Sequence, residues 1–115
     1  MEKEEVIQKI QNFFVSRNIS RDIGLDVSPD EIKFREAELS EEGYDQLVQF
    51  LRGLGFSPIG TWEENLNYSF NSKSYLCTDD FRDSNDNLLK VYYTKIWTRN
   101  ETLYVVERIE FFEES

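Results

Sequence analysis

Histidine is absent from this 115-residue sequence, and cysteine occurs once, at Cys77. Without histidine the chain has no Ser-His-Asp or Cys-His nucleophilic arrangement, no imidazole metal ligand and no near-neutral imidazole base. A single cysteine excludes an internal disulfide and a multi-cysteine zinc site. We expect Cys77 to act as a small apolar side chain in a strand, since free cysteines are commonly buried.

Long apolar runs, clustered glycines and a basic N-terminus are also missing. No segment has the roughly 20 consecutive apolar residues that a transmembrane helix needs. The N-terminal MEKEEV is acidic where a secretory signal peptide is basic, so the sequence favours a cytoplasmic protein, or one acting in a host cytoplasm. The five glycines stand singly, which excludes a glycine-rich phosphate loop.

Basic residues are few relative to acidic ones. The chain has 13 lysines and arginines against 23 aspartates and glutamates, which gives a formal net charge of −10. Such a charge repels phosphate backbones and anionic membrane surfaces, and it speeds association with a basic protein. The charge therefore predicts a basic partner protein and no direct binding to nucleic acid or membrane, although solubility also favours acidic surfaces.

The sequence contains a regular order of amphipathic segments, and its length predicts that residues 1–115 form a single domain. Apolar residues at helical spacing predict a helix over residues 3–17. Ser40, followed by two glutamates, predicts the start of a second helix that ends before Gly55, with Phe56 folding back onto it. Alternating segments predict strands at residues 19–27, 31–39, 61–70, 74–78, 88–97 and 102–112.

This order predicts the fold class and the arrangement of its layers. Short connections between the late strands indicate hairpins, and hence antiparallel pairing. We expect an α+β fold, with a mostly antiparallel sheet of about five or six strands and two amphipathic helices packed on one face.

The most acidic stretch is DDFRDSNDN, residues 79–87, and it is a candidate calcium loop. From Asp83 the oxygen ligands at positions 1, 3 and 5 are in place, but Leu88 stands where such a loop needs glycine and Thr94 where it needs glutamate. We therefore predict that this stretch is a hairpin turn. For the chain as a whole we predict no bound metal, no other cofactor and no catalytic residue. The acidic candidates for contact with a basic partner are Asp79, Asp80, Asp83, Asp86, Glu63 and Glu64.

The last two predicted strands have apolar residues on both faces. Strict alternation places Glu107 on the apolar inner face of residues 102–112, and we expect Lys95 of the preceding strand to pair with it. The other members of that face are Leu103, Val105, Ile109 and Phe111. Apolar residues on the opposite face predict a surface for a second copy of the chain or a protein partner. They are Tyr92, Ile96, Tyr104, Val106 and Phe112.

Residues 91–112, VYYTKIWTRNETLYVVERIEFF, resemble the closing aromatic hairpin of small acidic anti-CRISPR proteins of archaeal rod-shaped viruses, the inhibitors of type I-D effectors. The order of elements is also similar over most of the chain. This resemblance implies an antiparallel sheet with two helices, a homodimer, and binding to the large effector subunit.

Residues 31 to about 70 also resemble the opening strand, helix and following strand of CYTH triphosphate-tunnel domains, through EIKFRE and GFSPIGTWEENLNYSF. That family has an alternating Glu-x-Glu-x-Lys set in its first strand, whereas here Glu31 is followed by Lys33 and Arg35. The chain that remains is also too short to close a full tunnel.

Charge and the first resemblance together predict an acidic protein-binding inhibitor without enzymatic activity. Its expected partner is a basic, nucleic-acid-handling host protein, such as a CRISPR effector subunit or a nuclease. Two alternatives are an immunity protein against a basic toxin nuclease, and a degenerate metal- or triphosphate-binding enzyme.

Overall fold

The structure, a computed structural model, describes residues 2–17 and 26–114. In this part of the chain, two helices accompany an antiparallel sheet of six strands, which confirms the predicted α+β class. The elements are α1 Lys3–Ser16, β1 Asp26–Ser28, β2 Glu31–Ser40, α2 Glu41–Gly53, β3 Ser57–Tyr68, β4 Ser72–Arg82, β5 Leu88–Thr98 and β6 Thr102–Phe112. Most of the predicted strand at residues 19–27 lies outside the described residues, and β1 covers its end.

Helix α1 forms because its apolar residues recur on one side, with Glu4 and Glu5 near its positive N-terminal end. The ring of Phe14 packs against that of Phe34 on β2, with centroids 4.4 Å apart. The buried stripe is the predicted one, Val6, Ile7, Ile10, Phe13 and Phe14.

Helix α2 begins and ends as the sequence predicts. At its start, the Ser40 hydroxyl accepts a hydrogen bond from the Gly43 amide at 3.0 Å. At its end, Gly55 has φ of 100°, a left-handed conformation that glycine adopts without strain. The Phe56 amide then donates to the Leu51 carbonyl at 3.0 Å, and the buried Phe56 side chain completes a Schellman-type cap.

The strands lie in the order β1-β2-β6-β5-β4-β3, and every neighbouring pair is antiparallel. One side of this sheet, the covered face, forms a single hydrophobic cluster with the buried residues of both helices. The opposite side is called the open face. The buried strand residues of the covered face are Ile32, Phe34, Ala37, Leu39, Cys77, Phe81, Leu89, Val91, Tyr93, Val106, Ile109 and Phe111.

Strand β3 contributes no side chain to this cluster, since all twelve of its residues are exposed. Strict alternation over residues 61–70 predicts that Trp62, Leu66, Tyr68 and Phe70 share one face, and this prediction is wrong. Trp62 pairs with Thr78, whereas Tyr68 pairs with Lys73, and a register shift between Asn65 and Asn67 separates the two pairs. Because such a bulge reverses the alternation, Trp62 lies on the open face and Tyr68 on the covered face.

Candidate protein-binding surfaces

A β-bulge on β6 decides which of its side chains reach the open face. Tyr93 pairs with Val106 and Tyr92 pairs with Arg108, so Glu107 is an extra residue between two consecutive pairs. An extra residue reverses the alternation of faces beyond it. The strict alternation predicted for residues 102–112 is therefore wrong, because the two halves of β6 exchange faces at Glu107.

Two of the five residues predicted for the open face lie on the covered face instead. Val106 is 1% exposed and belongs to the core. Tyr104 stacks on Tyr44 of α2, with ring centroids 4.5 Å apart and an angle of 8° between the ring planes. The other three, Tyr92, Ile96 and Phe112, alternate with covered-face residues and lie on the open face.

Leu103 and Val105 occupy the open face in place of Tyr104 and Val106. Leu103 pairs directly with Ile96 on β5, and directly paired residues of an antiparallel ladder share a face. No helix of the described chain packs over this face. Its central apolar residues, here called the open apolar group, are all partly exposed: Leu76, Tyr92, Ile96, Leu103 and Val105.

The predicted pair between Lys95 and Glu107 does not form. The Glu107 carboxylate, exposed at the bulge, accepts a hydrogen bond from the Thr94 hydroxyl at 3.2 Å. Lys95 lies on the covered face opposite Tyr104, with its ammonium nitrogen 5.9 Å from the centre of that ring. The bulge therefore accounts for this error too, because it moves Glu107 away from the face of Lys95.

Asp79 is the first of the predicted contact residues, and it points into the covered face. Its carboxylate accepts a hydrogen bond from the Tyr44 hydroxyl at 2.5 Å and another from the Tyr93 hydroxyl at 3.1 Å. Burial raises the pKa of both hydroxyls above the ordinary tyrosine value, and the Asp79 charge raises it further. Asp79 thus joins β4 to α2 and β5 inside the protein.

Sequence reasoning missed this network, although a signal for it is present. Asp79 alternates with Tyr75, Cys77 and Phe81 along β4, so it is an acid on an otherwise apolar strand face. Such an acid needs hydrogen-bond donors from a neighbouring element, because an unpaired buried charge is costly. The residue that supplies the shorter bond, Tyr44, is 35 positions away, and only the packing of α2 brings it there.

Asp80 points the other way, to the open face. Its Oδ1 atom lies 3.9 Å from the Lys90 ammonium nitrogen on β5 and accepts no hydrogen bond in the described structure. Oδ1 itself is shielded from solvent, but both side chains are about one-third exposed as a whole, so solvent still screens the pair and its contribution to stability is small.

Asp83 organises the turn that joins β4 to β5. The predicted turn at residues 79–87 is confirmed only from Asp83 onward, because residues 79–82 continue strand β4. Its carboxylate accepts hydrogen bonds from the backbone amides of Asn85 and Asn87, at 2.9 and 2.8 Å. The Asn87 side chain donates a third bond, at 2.9 Å. Asp86 has φ of 63°, a left-handed conformation that Asp tolerates better than most residues. The residues 83–87 are therefore a hairpin connection.

Several exposed or partly exposed carboxylates meet where this turn lies beside the β1–β2 turn and the end of β6. The Phe111 amide donates to the Asp30 carbonyl at 2.8 Å, and the Glu114 amide donates to the Asn87 side chain at 2.9 Å. These bonds hold three segments together at one end of the sheet. The acids there, called the acidic end, are Asp30, Asp83, Asp86, Glu113 and Glu114.

Glu63 and Glu64 lie on opposite faces of β3. Glu63 pairs with Cys77 and borders a shallow groove of about 200 Å³ on the covered face, which Lys73, Lys95 and two aromatic residues also line. Glu64 pairs with Leu76 on the open face. The six predicted acidic contacts are therefore distributed over both faces and one end of the sheet.

Cys77 shows no sign of being a nucleophile. Its side chain is buried on the covered face, as predicted, and burial raises the pKa of the thiol to about 11, with the nearby Glu63 charge adding to the effect. A protonated thiol is a weak nucleophile and a weak metal ligand. Within residues 2–17 and 26–114, no group of three or more acidic or cysteine side chains is arranged to hold a metal ion.

Comparison with protein-family models, curated proteins and solved structures finds no significant match. Neither helix of the described chain is long and apolar enough to cross a membrane. The case for a function therefore depends on the surfaces described above.

Proposed function

We propose that this protein is an acidic inhibitor that works by binding a basic, nucleic-acid-handling protein in the cytoplasm. The observation that carries the proposal is the open apolar group. Ile96 and Leu103 pair directly on a sheet face that no described helix covers, and Leu76 and Val105 flank Thr94 in the neighbouring row of the same face. A contiguous partly exposed apolar area of this kind is typical of a protein-binding surface.

Charge supports a basic partner. The chain carries a net charge of −10. Five carboxylates lie at the acidic end, where Leu88 pairs with Phe112, whereas Ile96 and Leu103 pair at the opposite end of the same two strands. Such negative charge speeds the encounter of the whole molecule with a basic protein, and it repels nucleic acid that competes for the same partner. Blocking the basic surface of a nuclease or a CRISPR effector subunit requires this combination and no catalytic residue.

Two kinds of inhibitor fit these properties. One is a viral anti-CRISPR protein, which the resemblance of residues 91–112 favours. The other is an immunity protein that neutralises a basic toxin nuclease. A homodimer through the open apolar group is a further proposal, and light scattering tests it directly: a monomer at high protein concentration contradicts it.

The central test is capture of a partner from nuclease-treated host lysate, followed by an inhibition assay on the purified partner. We expect a basic nucleic-acid-handling protein that is inhibited at a stoichiometric ratio, with an affinity that falls as salt rises. The variant Ile96→Asp/Leu103→Asp should abolish inhibition, because both side chains are on the open face. A partner that binds this variant unchanged, or that is not inhibited, contradicts the proposal.

A second variant isolates the role of charge. Replacing Asp30, Asp86, Glu113 and Glu114 with their amides removes four exposed carboxylates and changes the net charge from −10 to −6. We expect association to slow by roughly tenfold at low salt while dissociation changes little. Asp79 is left intact, because its carboxylate holds Tyr44 and Tyr93.

The alternative function, an enzyme, predicts a different result when metal ions or triphosphate are added. A metal- or triphosphate-binding site predicts that Mg²⁺, Mn²⁺ or inorganic triphosphate raises the melting temperature, since ligands that bind the folded state stabilise it. We expect no shift with any of the three. A clear shift would favour the enzyme instead.

A further inference from the structure

The two edges of the sheet differ in length and exposure. Edge strand β1 has three residues, whereas edge strand β3 has twelve, all of them exposed. An edge strand presents a row of unpaired backbone N–H and C=O groups, and a long one is a template for another strand. The described chain places no element beyond β3.

The central part of β3 is regular enough to accept a strand. Register shifts interrupt it between Pro58 and Gly60 and between Asn65 and Asn67, where bulges disturb the ladder. Between them, residues 61–65 pair with β4 without interruption. This stretch is therefore the part of the edge whose outward backbone groups have the spacing of a strand ladder.

The side chains of this stretch indicate which strand would fit. Strand β3 contains two acids, Glu63 and Glu64, and no basic residue. On the open face, Glu64 follows Trp62, whose side chain is 54% exposed. On the covered face, Glu63 borders the groove that contains Lys73 and Lys95. Because Glu63 already shares its groove with two lysines, Glu64 on the open face is the carboxylate that we assign to a partner's cation.

A second copy of this chain is a poor occupant. Antiparallel pairing of β3 with itself around Glu63 places the Glu63 side chains of the two copies opposite each other, and like charges directly opposite are destabilising. The net charge of −10 on each copy adds to this repulsion. Charge complementarity instead favours a segment with lysine or arginine.

We propose that residues 61–65 of β3 bind an extended basic segment of the partner by strand addition. This inference rests on the proposed function, since it adds the edge of β3, where Glu64 pairs with Leu76 of the open apolar group, to the surface that receives the basic partner. Main-chain hydrogen bonds supply the ladder, and alternate side chains supply specificity. On the open face, the added strand places an apolar residue beside Trp62 and a lysine or arginine beside Glu64.

The test uses a short synthetic peptide with capped ends, Thr-Val-Thr-Lys-Thr-Val-Thr, titrated into the isotope-labelled full chain. We expect the largest amide shifts at residues 61–65 and new protection of alternate β3 amides from hydrogen exchange. Protection of alternate amides reports backbone pairing, which a purely side-chain contact does not produce. The peptide with Glu in place of Lys should bind more weakly.

Two charge reversals make the test specific. Glu64→Lys should weaken the peptide by about tenfold, since it replaces an attraction with a repulsion beside the bound lysine. Glu113→Lys makes the same change in net charge at the acidic end, outside β3, and should have a much smaller effect. If both variants weaken the peptide equally, binding is diffuse and the strand-addition proposal is overturned.

The remaining outcomes separate this inference from the proposed function. Peptide shifts confined to the acidic end or to Tyr92 and Ile96 overturn strand addition, while a stoichiometrically inhibited basic partner still supports the inhibitor. If the peptide does not bind at all, the strand-addition proposal is also overturned. A dimer whose β3 amides are already protected without peptide overturns it in another way, because a second copy then occupies the edge.

Discussion

Strands β5 and β3 have similar alternating sequences but lie in opposite environments. Leu89, Val91 and Tyr93 of β5 are buried under the helices, whereas every residue of β3 is exposed. Alternation in a sequence thus identifies the two faces of a strand without showing whether either is covered. The difference arises from position in the sheet, since β5 is internal and β3 is an edge.

The widths of the helix pair and of the sheet account for the exposure of β3. Six strands spaced about 4.8 Å apart span about 24 Å between the outer strands. Two helices of about 10 Å diameter cover about 20 Å when they lie side by side. The helix pair is therefore at most about as wide as the sheet, which fits the exposure of the outer strand β3. Across the sheet toward β3, the outermost strand that contributes buried residues to the core is β4, through Cys77 and Phe81.

The largest expected effect compares two leucines on these strands. Leu89 on β5 is 0% exposed and Leu66 on β3 is 54% exposed. We expect Leu89→Ala to lower the free energy of unfolding by about 2–5 kcal/mol, because it removes buried methyl groups and leaves a cavity. Leu66→Ala should cost less than about 0.5 kcal/mol, as a surface substitution does. Urea denaturation measures both, and equal losses would mean that β3 is covered in solution.

A smaller effect compares adjacent aspartates on β4. Asp79→Asn should cost about 1.5–3 kcal/mol, because the partly buried carboxylate accepts hydrogen bonds from the buried residues Tyr44 and Tyr93. Asp80→Asn, the matched control on the open face, removes a screened contact to Lys90 and should cost less than about 1 kcal/mol. If the two variants prove equally stable, the tyrosine network does not stabilise the fold.

The smallest effect is the share of one tyrosine in the loss of stability in alkaline solution. The folded protein raises the pKa of Tyr44 and Tyr93 above the unfolded value of 10.0, chiefly by burial. Above pH 10 the unfolded chain therefore binds fewer protons than the folded one, and stability falls as pH rises. The contribution of each tyrosine to the free energy of unfolding is fully present below pH 10. It declines above pH 10 and is lower by about 1.4 kcal/mol at pH 11.

Urea denaturation between pH 8 and pH 11 measures this loss. Tyr44→Phe should remove the contribution of one tyrosine to the fall of the unfolding free energy with pH, independently of its effect on stability at pH 7. Cys77 also contributes from pH 9, since burial raises its pKa from 9.0 to about 11, and it is unchanged in the variant. A slope that Tyr44→Phe leaves unaltered would contradict the burial of this hydroxyl.

Local features were predictable from the sequence, because their causes are local. The Ser40 cap, the Gly55 turn and the stripe of α1 depend on neighbouring residues and on helical periodicity. The turn at residues 83–87 forms because Asp83 bonds to its own backbone. The acidic charge is a property of composition alone.

The candidate surfaces were predicted only in part. Tyr92, Ile96 and Phe112 are on the open face as expected, but Tyr104 and Val106 are not. A bulge adds one residue to a strand without any marked change in the sequence pattern, so alternation alone does not reveal it.

By itself the sequence determines the types of element, their caps and turns, the excess of negative charge and the absence of histidine chemistry. Tertiary structure decides which alternating faces are buried. It moves Val106 into the core and places Asp79 between two tyrosines, and it leaves β3 as an open edge. The physical reason is that burial and pairing depend on residues distant in the chain, whereas helix caps and turns depend on neighbours within a few positions.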